Sequence, residues 1–258
     1  MLIISATNKS NETLTITQNN KYSLISVSGI TPPTANINTS ELATKDGSIF
    51  NSSKVKNRNI VLTIVFNGDP EAARLDLYKY FRVKQYIKLN ISTTNRSVFT
   101  EGYVESMQID VNEQRQRAQI SIICPDPYFK SVTPTQITVT TNPQTIKNES
   151  DEDVGFVATF RASGAVENVE LSNDTTGAEF GLTYNLQSGD VLVIDTRTGE
   201  KSVKLTRSGA VINLINYITA STDWVTLLVG NNAISYGADS GVANLALTIT
   251  LQPIFEGV

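Results

Sequence analysis

The chain has 258 residues, 40% hydrophobic and 18% charged, with a formal net charge of -4. It contains no histidine and one cysteine, Cys124, which excludes a histidine-based triad, an imidazole metal site, an internal disulfide framework and a Cys-rich zinc site. The apolar fraction, with only 15 Gly and 8 Pro, excludes intrinsic disorder and collagen-like character, and the length suits one large β domain or two smaller ones.

The start, Met1-Leu2-Ile3-Ile4-Ser5-Ala6, lacks a basic n-region and has too short an apolar run for a secretory signal. No stretch approaches the roughly 20 apolar residues of a membrane span, so synthesis in a cytoplasm is expected. Asn-x-Ser/Thr triplets at Asn8, Asn51, Asn90, Asn95 and Asn173 then read as incidental in an Asn/Thr-rich chain.

Alternation of apolar and polar residues dominates from the start, as in strands with one buried face. Tyr22–Val27 is such a run, stopped by Gly29 and Pro32-Pro33. Asp46-Gly47 signals a turn before Ile49-Phe50, and Arg58–Phe66 is the richest β-former of the first half. One helix is expected over about residues 70–84. Asp69 can cap it, Pro70 fits its first position, Glu71 complements its dipole, and Ala73, Leu77 and Phe81 form one stripe. Arg74, Lys79, Arg82 and Lys84 lie off that stripe, on a face expected to be solvated.

Strands resume at Tyr86–Ile91, Val98–Val104, Met107–Val111 and Ala118–Ile123. Cys124-Pro125-Asp126-Pro127-Tyr128-Phe129 then cannot continue a central strand, which puts a domain edge near residue 130. Cys124 reads as a small core residue with a raised pKa. Charge divides at the same place: residues 1–130 carry a net +4 and residues 131–258 a net -8. The +4 is too small to signal nucleic-acid binding.

Residues 131–153 read as a connector with one strand, Gln136–Thr140, and an acidic run, Asn148–Asp153. Beyond it, short strands alternate with Gly-containing turns about every ten residues, the rhythm of a β-sandwich. These strands are Phe156–Phe160, Glu167–Leu171, Val191–Ile194 and Leu245–Leu251, with a short helix or turn at Val211–Ile215. By alternation Trp224, the only tryptophan, is expected to face the core.

Motifs for phosphate, dinucleotide, zinc-protease or serine-hydrolase chemistry are missing. The acidic turns around Asp151, Asp174 and Asp195 lack the calcium-loop pattern, and nothing singles out one catalytic carboxylate pair among 25 acidic residues. No catalytic, cofactor or metal residue is therefore expected, and the residues of a protein interface are not identified by the sequence.

Three stretches together resemble the N-terminal domain of the distal tail protein (Dit) family of long-tailed, siphovirus-type phages. They are Tyr22-Ser23-Leu24 with Gly29, Pro32-Pro33 and Asp46-Gly47-Ser48; Arg58 leading into Ile60-Val61-Leu62 and Phe66-Asn67-Gly68-Asp69; and Glu101-Gly102-Tyr103-Val104-Glu105 closing with Cys124-Pro125-Asp126-Pro127-Tyr128-Phe129. The second half is similar, more loosely, to the C-terminal domain of that family. Its matching pieces are Val169–Asn173 with Thr175-Thr176-Gly177, Leu186–Asp190 with Ile194-Asp195-Thr196, and Gly230-Asn231-Asn232 with Tyr236.

The resemblance implies a mainly β protein. Residues 1–130 would form a tube-protein-like β-sheet or split barrel with one helix, and residues 131–258 a peripheral galectin-like β-sandwich. It also implies a structural hub of the tail tip or baseplate and not an enzyme: a homohexameric ring whose hole continues the DNA channel without specific binding. Its partners would be the tail tube protein, the tail-associated tip protein, and receptor-binding or baseplate proteins. Arg74, Lys79 and Arg82 are then expected outside the channel, where they cannot retain passing DNA. The rival readings are a carbohydrate-binding adhesin module of a tail or tail-like bacteriocin, and a tail-associated hydrolase.

Overall fold

Period-two patterning in the first half becomes one antiparallel sheet in the computed structural model, which describes residues 2–17, 21–111 and 115–258. The strands are β1 (Ile3–Asn8), β2 (Thr13–Thr15), β3 (Tyr22–Ser28), β4 (Ala35–Leu42), β5 (Lys45–Val55), β6 (Arg58–Phe66), β7 (Tyr86–Ser92), β8 (Ser97–Ile109), β9 (Arg117–Cys124) and β10 (Phe129–Ser131). Their order is β2-β1-β7-β8-β9-β6-β3, with β10 on β8, while β4 and β5 pair only with each other. The two runs expected at 98–104 and 107–111 are one strand, β8, whose register shifts between Val104 and Ser106. That bulge lets its first half pair with β7 and its second half with β9, as in a split barrel.

The helix α1 spans Pro70–Tyr80, four residues shorter than expected. Asp69 caps it, accepting from the Glu71 and Ala72 amides at 3.0 and 3.2 Å. It ends at Phe81, where φ is -111° and the amide still donates to Leu77 O; beyond it Lys84, at a left-handed φ of 66°, donates its amide to Val104 O and turns the chain into β7. Ala73, Leu77 and Phe81 are buried as the stripe predicts. Asn8 on β1 donates to Lys79 O at 3.2 Å, and Tyr22 on β3 donates to Ala73 O at 2.9 Å. The helix thus bridges the two ends of the strand order.

The second half is a sandwich. Its strands are β11 (Thr135–Thr138), β12 (Gln144–Asn148), β13 (Val157–Ala162), β14 (Val166–Asn173), β15 (Ala178–Leu186), β16 (Val191–Asp195), β17 (Ser202–Arg207), β18 (Ala210–Asn213), β19 (Gly230–Ser240) and β20 (Leu245–Leu251). One sheet has the order β11-β20-β13-β16-β17-β18 and the other β12-β19-β14-β15. Phe156, Phe160, Phe180, Leu171, Ile194 and Leu247 are fully buried in its core. The segment 211–215 is neither a helix nor a plain turn: β18 is followed by a 3-10 turn at Ile215–Tyr217.

The acidic run 148–153 is anchored, not a loose connector. Asn148 donates to Glu152 O and Leu227 O, while its own Oδ1 accepts from the Ser150 amide. Asn173 donates to Thr226 O and to Asn232 Oδ1, and Asn232 to Leu228 O and Gly230 O. These three buried amides saturate backbone that side-chain periodicity does not reveal.

The chain folds as two compact units, one formed by Met1–Val132 with Phe255–Val258 and the other by Thr133–Ile254. The boundary expected at 130 therefore lies two residues later, and the last four residues belong to the first unit and not, as expected, to the second. The second unit is an insertion between Val132 and Phe255.

Asp190 is 2% exposed and accepts from Arg207 Nη2 at 2.6 Å and from the Gln187 amide at 2.8 Å. The Arg207 hydrogen bonds hold its carboxyl below the usual range; burial opposes this, and the Gln187 amide adds to it. A depressed folded-state pKa contributes stability above the unfolded-state value and loses it as pH falls through the folded one. Thermal melts should therefore show the second unit weakening only below the ordinary carboxylate range. Asp190→Asn should lower the melting temperature at neutral pH and flatten that acid limb.

Candidate protein interface

The ribbon β4–β5 has an unusual placement. Every residue of β4 is exposed, and so is every residue of β5 up to Lys54. Ile37, Leu42, Ile49 and Phe50 are 65, 42, 50 and 61% exposed. The cross-strand pairs Ile37↔Ser53 and Ser40↔Ile49, with Asn38 donating to Ser52 Oγ at 2.9 Å, leave apolar and polar side chains mixed on both faces. A two-stranded ribbon with no core of its own is marginal in water. The turn falls at Ala43-Thr44; Asp46-Gly47, where the sequence places it, lies inside β5 at a register shift. Gly47 supplies the positive φ, 95°, that this bulge requires.

The outer face of α1 adds to the exposed apolar surface. Leu75 and Tyr78 are 54 and 41% exposed, and so are Val83 and Tyr103 at 51% each. Tyr86 meets Tyr103 edge-on at 6.4 Å and donates to Glu101 Oε1 at 2.6 Å. Burial, then that carboxylate, pushes its phenol up to about 12. Lys79, Arg82 and Lys84 are exposed, whereas Arg74 is half-buried. Lys79 pairs with Asp76 at 3.4 Å, and Asp76 is held below the usual range chiefly by its hydrogen bond from Lys21. At the sheet margin, Ile25 on β3 is 57% exposed at a register shift between Leu24 and Ser26.

In the second unit the outer faces of the two sheets differ. Register aligns Thr138, Thr248, Thr159, Val193, Lys204 and Asn213 across the larger sheet, a row without aromatics. The smaller sheet carries exposed Glu167, Glu170 and Glu179. Trp224 packs against the sandwich core as expected, although it is only half-buried, while its neighbours Val225 and Leu227 are 0% exposed. Its ring is half-buried, 5.3 Å from Phe180 and 5.2 Å from Lys201 Nζ.

Cys124 is buried, and burial raises its thiol pKa. Asp195 pairs with Arg197 at 2.6 Å, and Asp174 accepts from Ser235 at 2.6 Å. Among the described residues, no group of three or more His, Cys, Asp or Glu is placed to hold a metal, and no helix is long and apolar enough to cross a membrane. An open depression of about 560 Å³ is lined by Thr63, Gln108, Ile109, Asp110, Val111, Arg117 and Gln119.

Two family profiles match the chain. Residues 9–124 match the phage tail protein RIFT-related domain, and residues 149–253 match the siphovirus-type tail component, C-terminal domain. The fold is similar to the crystal structure of the Dit protein of phage SPP1, with TM-score 0.73, 13% identity, and coverage of 96% of this chain and 98% of that one. It is also similar to chains in the phage P2 baseplate in its activated conformation. The calcium form gives TM-score 0.57 and 9% identity, the strontium form 0.56 and 10%, each covering 100% of both chains. No curated protein matches in sequence. With both halves matched in chain order and the SPP1 Dit fold followed over nearly its whole length, the chain belongs to the siphovirus-type distal tail protein family.

Proposed function

We propose that the chain is a structural, non-catalytic hub at the distal end of a phage tail. Six copies join head to tail through their first units, and the hole of the ring continues the tail channel. The observation that carries this reading is the β4–β5 ribbon, with its exposed Ile37, Ile49 and Phe50 and no core of its own to cover them. Contacts of one kind, repeated by a rotation that closes, build a ring and leave no ribbon uncovered. Membership in the tail family supports the location, and the SPP1 relative is described as a hub of the adsorption apparatus in phages infecting Gram-positive bacteria.

The tail tube protein would stack on one side of the ring and the tail-associated tip protein on the other. The second unit would dock receptor-binding or baseplate proteins. DNA would pass without specific binding, with Arg74, Lys79 and Arg82 outside the channel. An adhesin reading has less support, because Trp224 is half-buried and the outer row of the larger sheet holds no stacking platform.

Electron microscopy of assembled tails tests the proposal. The expected result is a six-fold ring, or a three-fold doubled one, of roughly 169 kDa for six copies of 28.1 kDa. Another symmetry, or those three basic side chains lining the hole, would overturn it.

A further inference from the structure

Arg58 is 3% exposed, and its hydrogen bonds go to backbone carbonyls from three separate parts of the chain. Nε donates to Pro127 O at 2.7 Å, and Nη1 to Gly29 O and Thr31 O at 2.5 and 2.7 Å. Nη2 donates to Glu256 O at 2.6 Å. The guanidinium carbon lies 4.3 Å from the centroid of the Phe129 ring. A second arginine holds the same tail: Arg96 Nη1 donates to Gly257 O at 2.6 Å, with its guanidinium 4.2 Å from the Phe255 ring centroid. The Val258 amide closes the set by donating to Ile30 O at 3.0 Å.

All these partners lie within the first unit, yet Phe255–Val258 follow the whole second unit in the chain. A buried guanidinium that loses one of its acceptors keeps the desolvation cost of the stranded donor. Residues 1–132 alone therefore hold an incomplete site around Arg58.

We propose that the first unit becomes assembly-competent only when Phe255–Val258 dock on Arg58 and Arg96, so that the second unit is synthesised before the first can enter a ring. The device prevents a chain interrupted inside the second unit from being built into an assembly without that unit. It works on the folding of one chain and stands apart from the ring symmetry proposed above.

Two measurements test it. In the first, a chain lacking 255–258 is compared with the full chain by hydrogen exchange and thermal melting. Protection should fall around residues 29–31, 58 and 96 but persist in the second-unit core, with the first-unit transition lowered by about 5–10 °C. Because a truncated chain can fail for trivial reasons, Arg58→Met is made in both backgrounds. The truncation and the substitution should fall short of additive by the share of the Arg58–Glu256 hydrogen bond, the contact that both remove. In the second, translation is arrested on the full-length message with 255–258 either inside the exit tunnel or brought out by a flexible extension. First-unit strands should resist protease only in the extended form. Equal resistance in both stalls, unchanged protection after truncation, or additive effects would each overturn the proposal, whatever ring the intact protein forms.

Discussion

Replacing residues 36–54 by a two-residue glycine-serine link should leave a folded protein that no longer assembles. The design follows from register: Ala35 and Val55 are direct partners, so the stem is already as narrow as a strand pair, about 5 Å. Since every residue of the ribbon up to Lys54 is exposed, its removal should cost the folded unit less than about 1 kcal/mol. Assembly depends on it much more. Burying Ile37, Leu42, Ile49 and Phe50 is worth about 1.5–3 kcal/mol each when complete. Even about 3 kcal/mol in total per contact would lower the association constant by more than a hundredfold. Particle mass by light scattering and the yield of rings in micrographs are the readouts. Rings formed as readily without the ribbon would remove the main support for the proposed interface.

The second large effect is at Gly29. Its φ is +81°, and a Cβ placed there would meet Asn59 O at 2.0 Å. Gly29→Ala therefore combines left-handed strain of about 1–2 kcal/mol with displacement of a β6 carbonyl, for a loss of about 2–5 kcal/mol. Gly209 has a similar φ, +83°, with nothing within 4 Å of the added atom. Gly209→Ala should cost only about 1 kcal/mol. Denaturant melts of the pair separate contact from conformation, and equal losses would show that the approach of Asn59 does not matter.

Elements legible in the sequence differ from hidden ones in the kind of signal they leave. Arg58–Phe66, Leu245–Leu251 and the Ala73/Leu77/Phe81 stripe are readable because one face of each is buried by its own unit, which forces a period. β4 and β5 are not recognisable as strands for the opposite reason: no face of either is buried, so nothing imposes alternation on them. The candidate interface is invisible because it lies on that ribbon. The family resemblance supplies what periodicity cannot, namely the pairing of a tube-like half with a sandwich half. It does not foretell the return of Phe255–Val258, because Arg58 and Arg96 bind backbone carbonyls there and carbonyls leave no mark in the sequence.

The insertion has a mechanical consequence. Tension carried along the backbone of the second unit enters the first at two places, Val132 and Phe255. One leads into β10, laced to β8, and the other into the segment gripped by Arg58 and Arg96. Tension is thereby divided between a strand pair and an arginine clamp, and extraction of the inserted unit demands that both yield.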